Sequence, residues 1–202
     1  MKKFNFDQIF LRSILELRKK NLDRSLKSLK KISSIKVKYK DKILINFSSN
    51  DYLGLSQNKI MKNDTIRVIK KHGIGSGSSR LVSGNFDFHE KIESLLAKKK
   101  RSQSSIIFST GYLANYSVLS SILSSDVFTK TPIVFSDKLN HQCIYEGCKN
   151  KKINFLRFKH NDMNHLEYLL KKNKLKSNPK FILSESVFSM DGDFADIKNL
   201  VY

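Results

Sequence analysis

The 202 residues predict an α/β domain built on a mostly parallel sheet flanked by helices, and three observations carry that reading. From residue 104 onward, short strand-like runs alternate with helix-like stretches. Each apolar run ends in polar groups, at Ser109-Thr110-Gly111, at Ser136-Asp137 and at Ser184-Glu185. Apolar residues make up 40% of the chain, enough for a sizeable core and too many for a disordered polymer.

The elements come in this order. Residues 4–31 carry Phe6, Ile9, Phe10, Ile14, Leu17 and Leu22 near helical spacing among basic residues, which predicts an amphipathic helix. Ile35 to Phe47 alternates loosely, as one or two short strands do. A polar turn at Ser48–Gly54 leads to a helix over 59–72, stopped by His72-Gly73. Gly73 to Gly84 holds four of the eight glycines, so irregular backbone is concentrated there. Beyond it the pattern predicts a helix over 86–99, a buried strand at Ser104–Phe108 and a helix over 112–123. A strand at Ile133–Phe135, a helix near 140–149, a strand at 153–158, a helix over 162–172 and a strand at Lys180–Leu183 complete the series.

Composition narrows the function classes. The formal charge is +20, which invites a nucleic-acid or anionic-membrane partner. Yet 31 of the 38 basic residues are lysines, scattered along the whole chain, and no nucleic-acid-binding signature accompanies them. Arginine, the better phosphate fork, is scarce. The bias toward Lys, Asn, Ile, Phe and Ser is that of A/T-rich codons. The two cysteines, Cys143 and Cys148, are too few for a disulfide scaffold and are spaced poorly for zinc. The N-terminus lacks the apolar core of a signal peptide, and the most apolar stretch, Ser104 to Leu123, is broken by Thr110-Gly111 and Asn115. The expectation is a cytoplasmic protein with no nucleic-acid and no membrane partner.

In parallel sheets, ligands sit at the C-terminal ends of strands. Ser109-Thr110-Gly111-Tyr112 offers hydroxyls and free N–H groups at a helix start, where a phosphate is favoured; a plain helix cap explains the same residues. Gly73 to Gly84 lacks the Lys-Ser/Thr ending of a P-loop and the spacing of a dinucleotide fingerprint. His141 is a general base, a ligand, a flat stacking surface or simply a surface histidine. Glu185, Asp191 and Asp193 suit a cation or a protonated ring nitrogen, or else ordinary turn chemistry. Their spacing is not that of an EF-hand, and no metal is expected.

Taken in order, five segments resemble the α-oxoamine synthases: Asn46–Leu55, Gly73–Gly84, Ser109–Asn115, Ser136–His141 and Ser184–Asp193. These are fold-type I enzymes dependent on pyridoxal 5'-phosphate (PLP) that condense an amino acid with an acyl thioester and release CO₂. The resemblance covers residues 15 to 202 and lies nearest the biotin-pathway branch, which joins L-alanine to a pimeloyl thioester carried by CoA or a carrier protein. The 5-aminolevulinate and sphingoid-base branches share variants of these motifs.

The resemblance implies that Gly111 and Tyr112 hold the cofactor phosphate. It places the His141 ring on the pyridine, beside the substrate carboxylate. Ser189 would hydrogen-bond the cofactor, with Glu185 in the surrounding shell. Asn50 would lie near the substrate, and Arg24 would meet the acyl group. It further implies a homodimer, or a complementary C-terminal chain. The family's Schiff-base lysine lies well beyond the Phe-Ser-Met-Asp-Gly-Asp motif, so no catalytic residue of that kind is assigned among residues 1–202. The expected layout is an N-terminal helix-and-strand segment over 1–45 and an incomplete cofactor-binding large domain over 46–202. The resemblance implies that a small C-terminal domain is missing from this layout. That layout implies a fragment inactive alone, or a non-catalytic remnant that keeps the pocket.

Overall fold

The computed structural model describes residues 6–124, 126–149, 153–174 and 177–201. By its contacts the chain forms two compact units, Met1–Gly84 and Asn85–Tyr202.

The first unit opens with α1 (Phe6–Lys19). This helix is shorter than the apolar spacing predicts. Asn21 adopts a left-handed φ of 53°, the Leu22 N–H reaches back to the Leu17 carbonyl and the Asn21 N–H to that of Arg18. That double closure ends a helix at an Asn that tolerates φ > 0. Three short strands come next, β1 (Lys30–Lys31), β2 (Lys36–Tyr39) and β3 (Lys42–Ile45), paired antiparallel in the order β1-β2-β3. The hairpin register sets Lys36 opposite Ile45 and Tyr39 opposite Lys42. A 3₁₀ turn at Leu55–Gln57 precedes α2 (Lys59–His72), whose Asn58 side chain accepts from the Met61 N–H and whose end is Gly73 at φ 82°. The glycine-rich segment then folds upon itself. A Cβ at Gly84 would sit 2.1 Å from the Ser78 carbonyl oxygen, so only glycine fits there.

The second unit contains α3 (Asp87–Lys100), α4 (Gly111–Ile122), β4 (Ile133–Asp137), α5 (Gln142–Lys149), β5 (Asn154–Phe158), α6 (Met163–Lys172), β6 (Lys180–Leu183) and a short α7 (Ile197–Leu200). Its sheet is parallel, in the order β5-β4-β6, with Ile133 opposite Asn154 on one side and Lys180 on the other. Every residue of β4 is buried, as expected of a central parallel strand covered on both faces. Alternate side chains serve opposite faces. Ile133 and Phe135 pack with Phe158 and Leu166, while Val134 packs with Leu123 and Cys148. Helices α4 and α5 approach closely because Gly147 has no side chain; a Cβ there would lie 3.0 Å from that of Leu119.

One expected strand is not formed. Ser104–Phe108 has no strand partner among the described residues and lies along α3 instead. The Ser105 hydroxyl donates to the Glu93 carbonyl (2.6 Å), and the Ile107 N–H donates to the Glu93 carboxylate (2.8 Å). A side chain thus satisfies backbone that a sheet neighbour would otherwise take.

Candidate functional site

The loops after β4, β5 and β6 converge at the C-terminal edge of the parallel sheet, where strand-end polar groups meet. Asn140 ties two of them together, its amide donating to Ser136 Oγ (2.9 Å) and to the Leu183 carbonyl (2.8 Å). His141 comes next with an exposed side chain, and its backbone N–H donates to the Glu185 carboxylate. So His141, from the β4 loop, and Glu185, from the β6 loop, are neighbours.

The His141 ring is held by Cys143, two residues further along. Nδ1 accepts from the Cys143 N–H (3.2 Å) and lies 2.9 Å from Cys143 Sγ, which leaves the proton of the neutral ring on Nε2. Asn115 of α4 donates to the same sulfur (3.1 Å). Cys143 therefore connects His141 to the helix that Gly111 and Tyr112 begin. At that helix start Thr110 Oγ1 accepts from the Leu113 N–H (3.1 Å), a cap. The N–H groups of Gly111 and Tyr112 lie ahead of the first intrahelical acceptors and stay available to an anion. The cap leaves both of these N–H groups unused, because it takes a later one.

Ser189 is exposed in a tight turn closed by two hydrogen bonds, Phe188 N–H to the Asp193 carbonyl (2.9 Å) and Gly192 N–H to the Phe188 carbonyl (2.8 Å). Arg24 and Asn50 belong to the first unit and are both exposed there, Arg24 after α1 and Asn50 in the turn after β3.

The residue that sequence reasoning missed is His160. Its Nδ1 lies 2.9 Å from Asp137 Oδ1 and its Nε2 2.8 Å from Asp193 Oδ2. Hydrogen bonding to Asp137, seconded by Asp193, raises its pKa above the ordinary imidazole value. Asp193 thus does meet a protonated ring nitrogen, but one belonging to this chain. Asp191 stands nearby, within reach of the same two side chains, and both ring nitrogens of His160 already face a carboxylate. The available signal was positional, since His160-Asn161 comes after a strand as His141 does. Asn140 Oδ1, Asn161 Oδ1 and Asp193 Oδ1 are buried without a partner among the described residues, so this edge of the sheet retains unused polar capacity. A phosphate-accepting helix start, an open imidazole face and spare polar atoms fit a phosphorylated aromatic cofactor.

Residues 42–201 match the protein family described as aminotransferase class I and II. The chain is 38% identical over 197 residues to an 8-amino-7-oxononanoate synthase of Gluconacetobacter diazotrophicus, covering 96% of this chain and 50% of that one. A putative 8-amino-7-oxononanoate synthase of Bordetella pertussis is 35% identical over 194 residues, covering 96% and 49%. Among solved structures, serine palmitoyltransferase from S. paucimobilis with bound PLP–myriocin aldimine aligns with a TM-score of 0.81 at 26% identity, covering 98% of this chain and 50% of that one. The 8-amino-7-oxononanoate synthase from Francisella tularensis aligns at 0.59 and 27% identity, covering 77% and 41%. The chain spans about half the length of the curated relatives it matches.

Proposed function

The chain belongs to the aminotransferase class I and II family, and from that premise we propose that it carries the N-terminal part of a PLP site for the decarboxylative condensation of L-alanine with a pimeloyl thioester. The observation that carries this reading is the joining of His141 to Glu185 across two strand ends and, through Cys143, to the helix opened by Gly111 and Tyr112.

In this reading, bound PLP supplies an electron sink for bond making at the amino acid's α-carbon. The Gly111 and Tyr112 N–H groups hold its phosphate at the positive end of α4. His141 would offer its ring face to the pyridine and its Nε2–H to the substrate carboxylate. Ser189 donates to the cofactor, and Glu185 fixes the His141 backbone. Asn50 and Arg24 serve the substrate side, Arg24 toward the acyl chain. Residues 46–202 form the cofactor-binding portion. The covalent lysine is assigned to none of these residues, and the reading places the site in a homodimer or beside a complementary C-terminal chain. The likeness to serine palmitoyltransferase supports a second reading, an α-oxoamine synthase of the sphingoid-base type.

The test is a PLP titration followed by visible absorbance, then borohydride reduction and peptide mapping. Saturable binding without a specifically labelled lysine is expected. His141→Ala should weaken that binding several-fold, as loss of one stacked ring costs about 1 kcal/mol. Unchanged affinity in the variant would remove His141 from the site.

A further inference from the structure

We propose that His160 is a positioning residue, which locks the Phe188–Asp193 turn, and Ser189 with it, to the loop that carries His141. The proposal rests on the reading of Ser189 and His141 as cofactor contacts.

Asp137 closes β4 and is only 1% exposed, so its charge must be met locally. It accepts the Leu139 N–H (2.8 Å), the Asn161 N–H (3.0 Å) and His160 Nδ1. Leu139 lies in the loop leading to His141, so Asp137 shapes that loop. Asp193 closes the turn that bears Ser189, and it takes His160 Nε2 together with the Asn161 amide (2.8 Å). The imidazole and the Phe188 ring meet in a T-shaped contact, centroids 4.5 Å apart and planes at 86°. Three strand-end loops therefore share one ring.

A neutral imidazole donates from one nitrogen only; serving two carboxylates takes both protons. The charged groups facing His160 are Asp137, Asp191 and Asp193. Lys138 and Lys159 are exposed, and among the described residues neither pairs with these carboxylates. When the ring loses a proton, the buried Asp137 keeps its donor and the more exposed Asp193 loses one of its two, which loosens the turn.

Hydrogen exchange of the full chain between pH 5.5 and 9 tests this, with intrinsic rates divided out. The Phe188 and Gly192 amides should be protected at and below about pH 6.5, the ordinary imidazole value. That protection should fall as pH rises through the raised pKa of His160. His160→Gln should leave these amides unprotected at every pH, with β4 amides unchanged and PLP bound several-fold more weakly. Asp193→Asn, which removes one charge and keeps the shape, should move the midpoint down. Protection independent of pH in the parent chain, or retained in His160→Gln, overturns the proposal. If His160→Gln also exposes β4, the Asp193→Asn midpoint decides, and an unmoved one is against the clamp. A parent chain that binds no PLP yet shows the exchange pattern refutes the cofactor reading and leaves the clamp standing.

Discussion

Two strands of similar sequence character meet opposite fates. In the first unit, Lys42-Ile43-Leu44-Ile45 is an edge strand whose apolar side chains are all exposed. In the second, Ile133-Val134-Phe135 lies at 0–1% exposure, with a strand on each side and packed side chains on both faces. Local pattern produced a strand in each case. Burial took a second and third layer, and only residues 85–202 supply them around β4.

The largest effect should come from testing that contrast directly. Phe135→Ala should cost about 3–5 kcal/mol through lost transfer energy and the cavity left behind. Ile45→Ala should fall within about 0.5 kcal/mol, as a surface change does. Denaturant melts of the two variants would measure the gap, and equal costs would show that β3 is covered in solution.

Cysteine chemistry sharpens the same comparison. Burial pushes the Cys148 thiol up to about 11, so little of it is thiolate near pH 8. Its alkylation, followed by peptide mass mapping, should run about a hundredfold slower than at a reporter Ile45→Cys. Comparable rates would mean that the second core opens readily.

The smallest effect should erase the difference between units. Thr110 and Asn58 each accept a backbone N–H at a helix start, at 3.1 Å in both cases. Replacement by Ala should cost about 1 kcal/mol at either position, because a cap is a local device. Circular dichroism melts of Thr110→Ala and Asn58→Ala would check this.

Much of the fold was legible for the same local reason. The helix over 59–72 and the strand at Lys180–Leu183 stand where spacing and a glycine stop put them. The helix expected over 4–31 ends at Lys19, since Asn21 turns left-handed before the apolar spacing runs out. Ser104–Phe108 had strand composition but found Glu93 rather than a neighbouring strand. Within the candidate site, His141 and Glu185 were legible as polar groups after strands, and Gly111 and Tyr112 as a helix start. His160 was not singled out, because its place after a strand says nothing of its partners; Asp137 and Asp193, 23 and 33 residues away, reach its two nitrogens only in the fold.

The sequence by itself determined the strand–helix alternation, the helix stops and caps, and the polar residues waiting at strand ends, since each depends on neighbours a few positions apart. Tertiary structure alone decided which apolar strand is buried, that Cys143 links His141 to α4, and that one imidazole joins three loops. Those outcomes depend on contacts between residues far apart in the chain, whose closeness exists only after the sheet has formed.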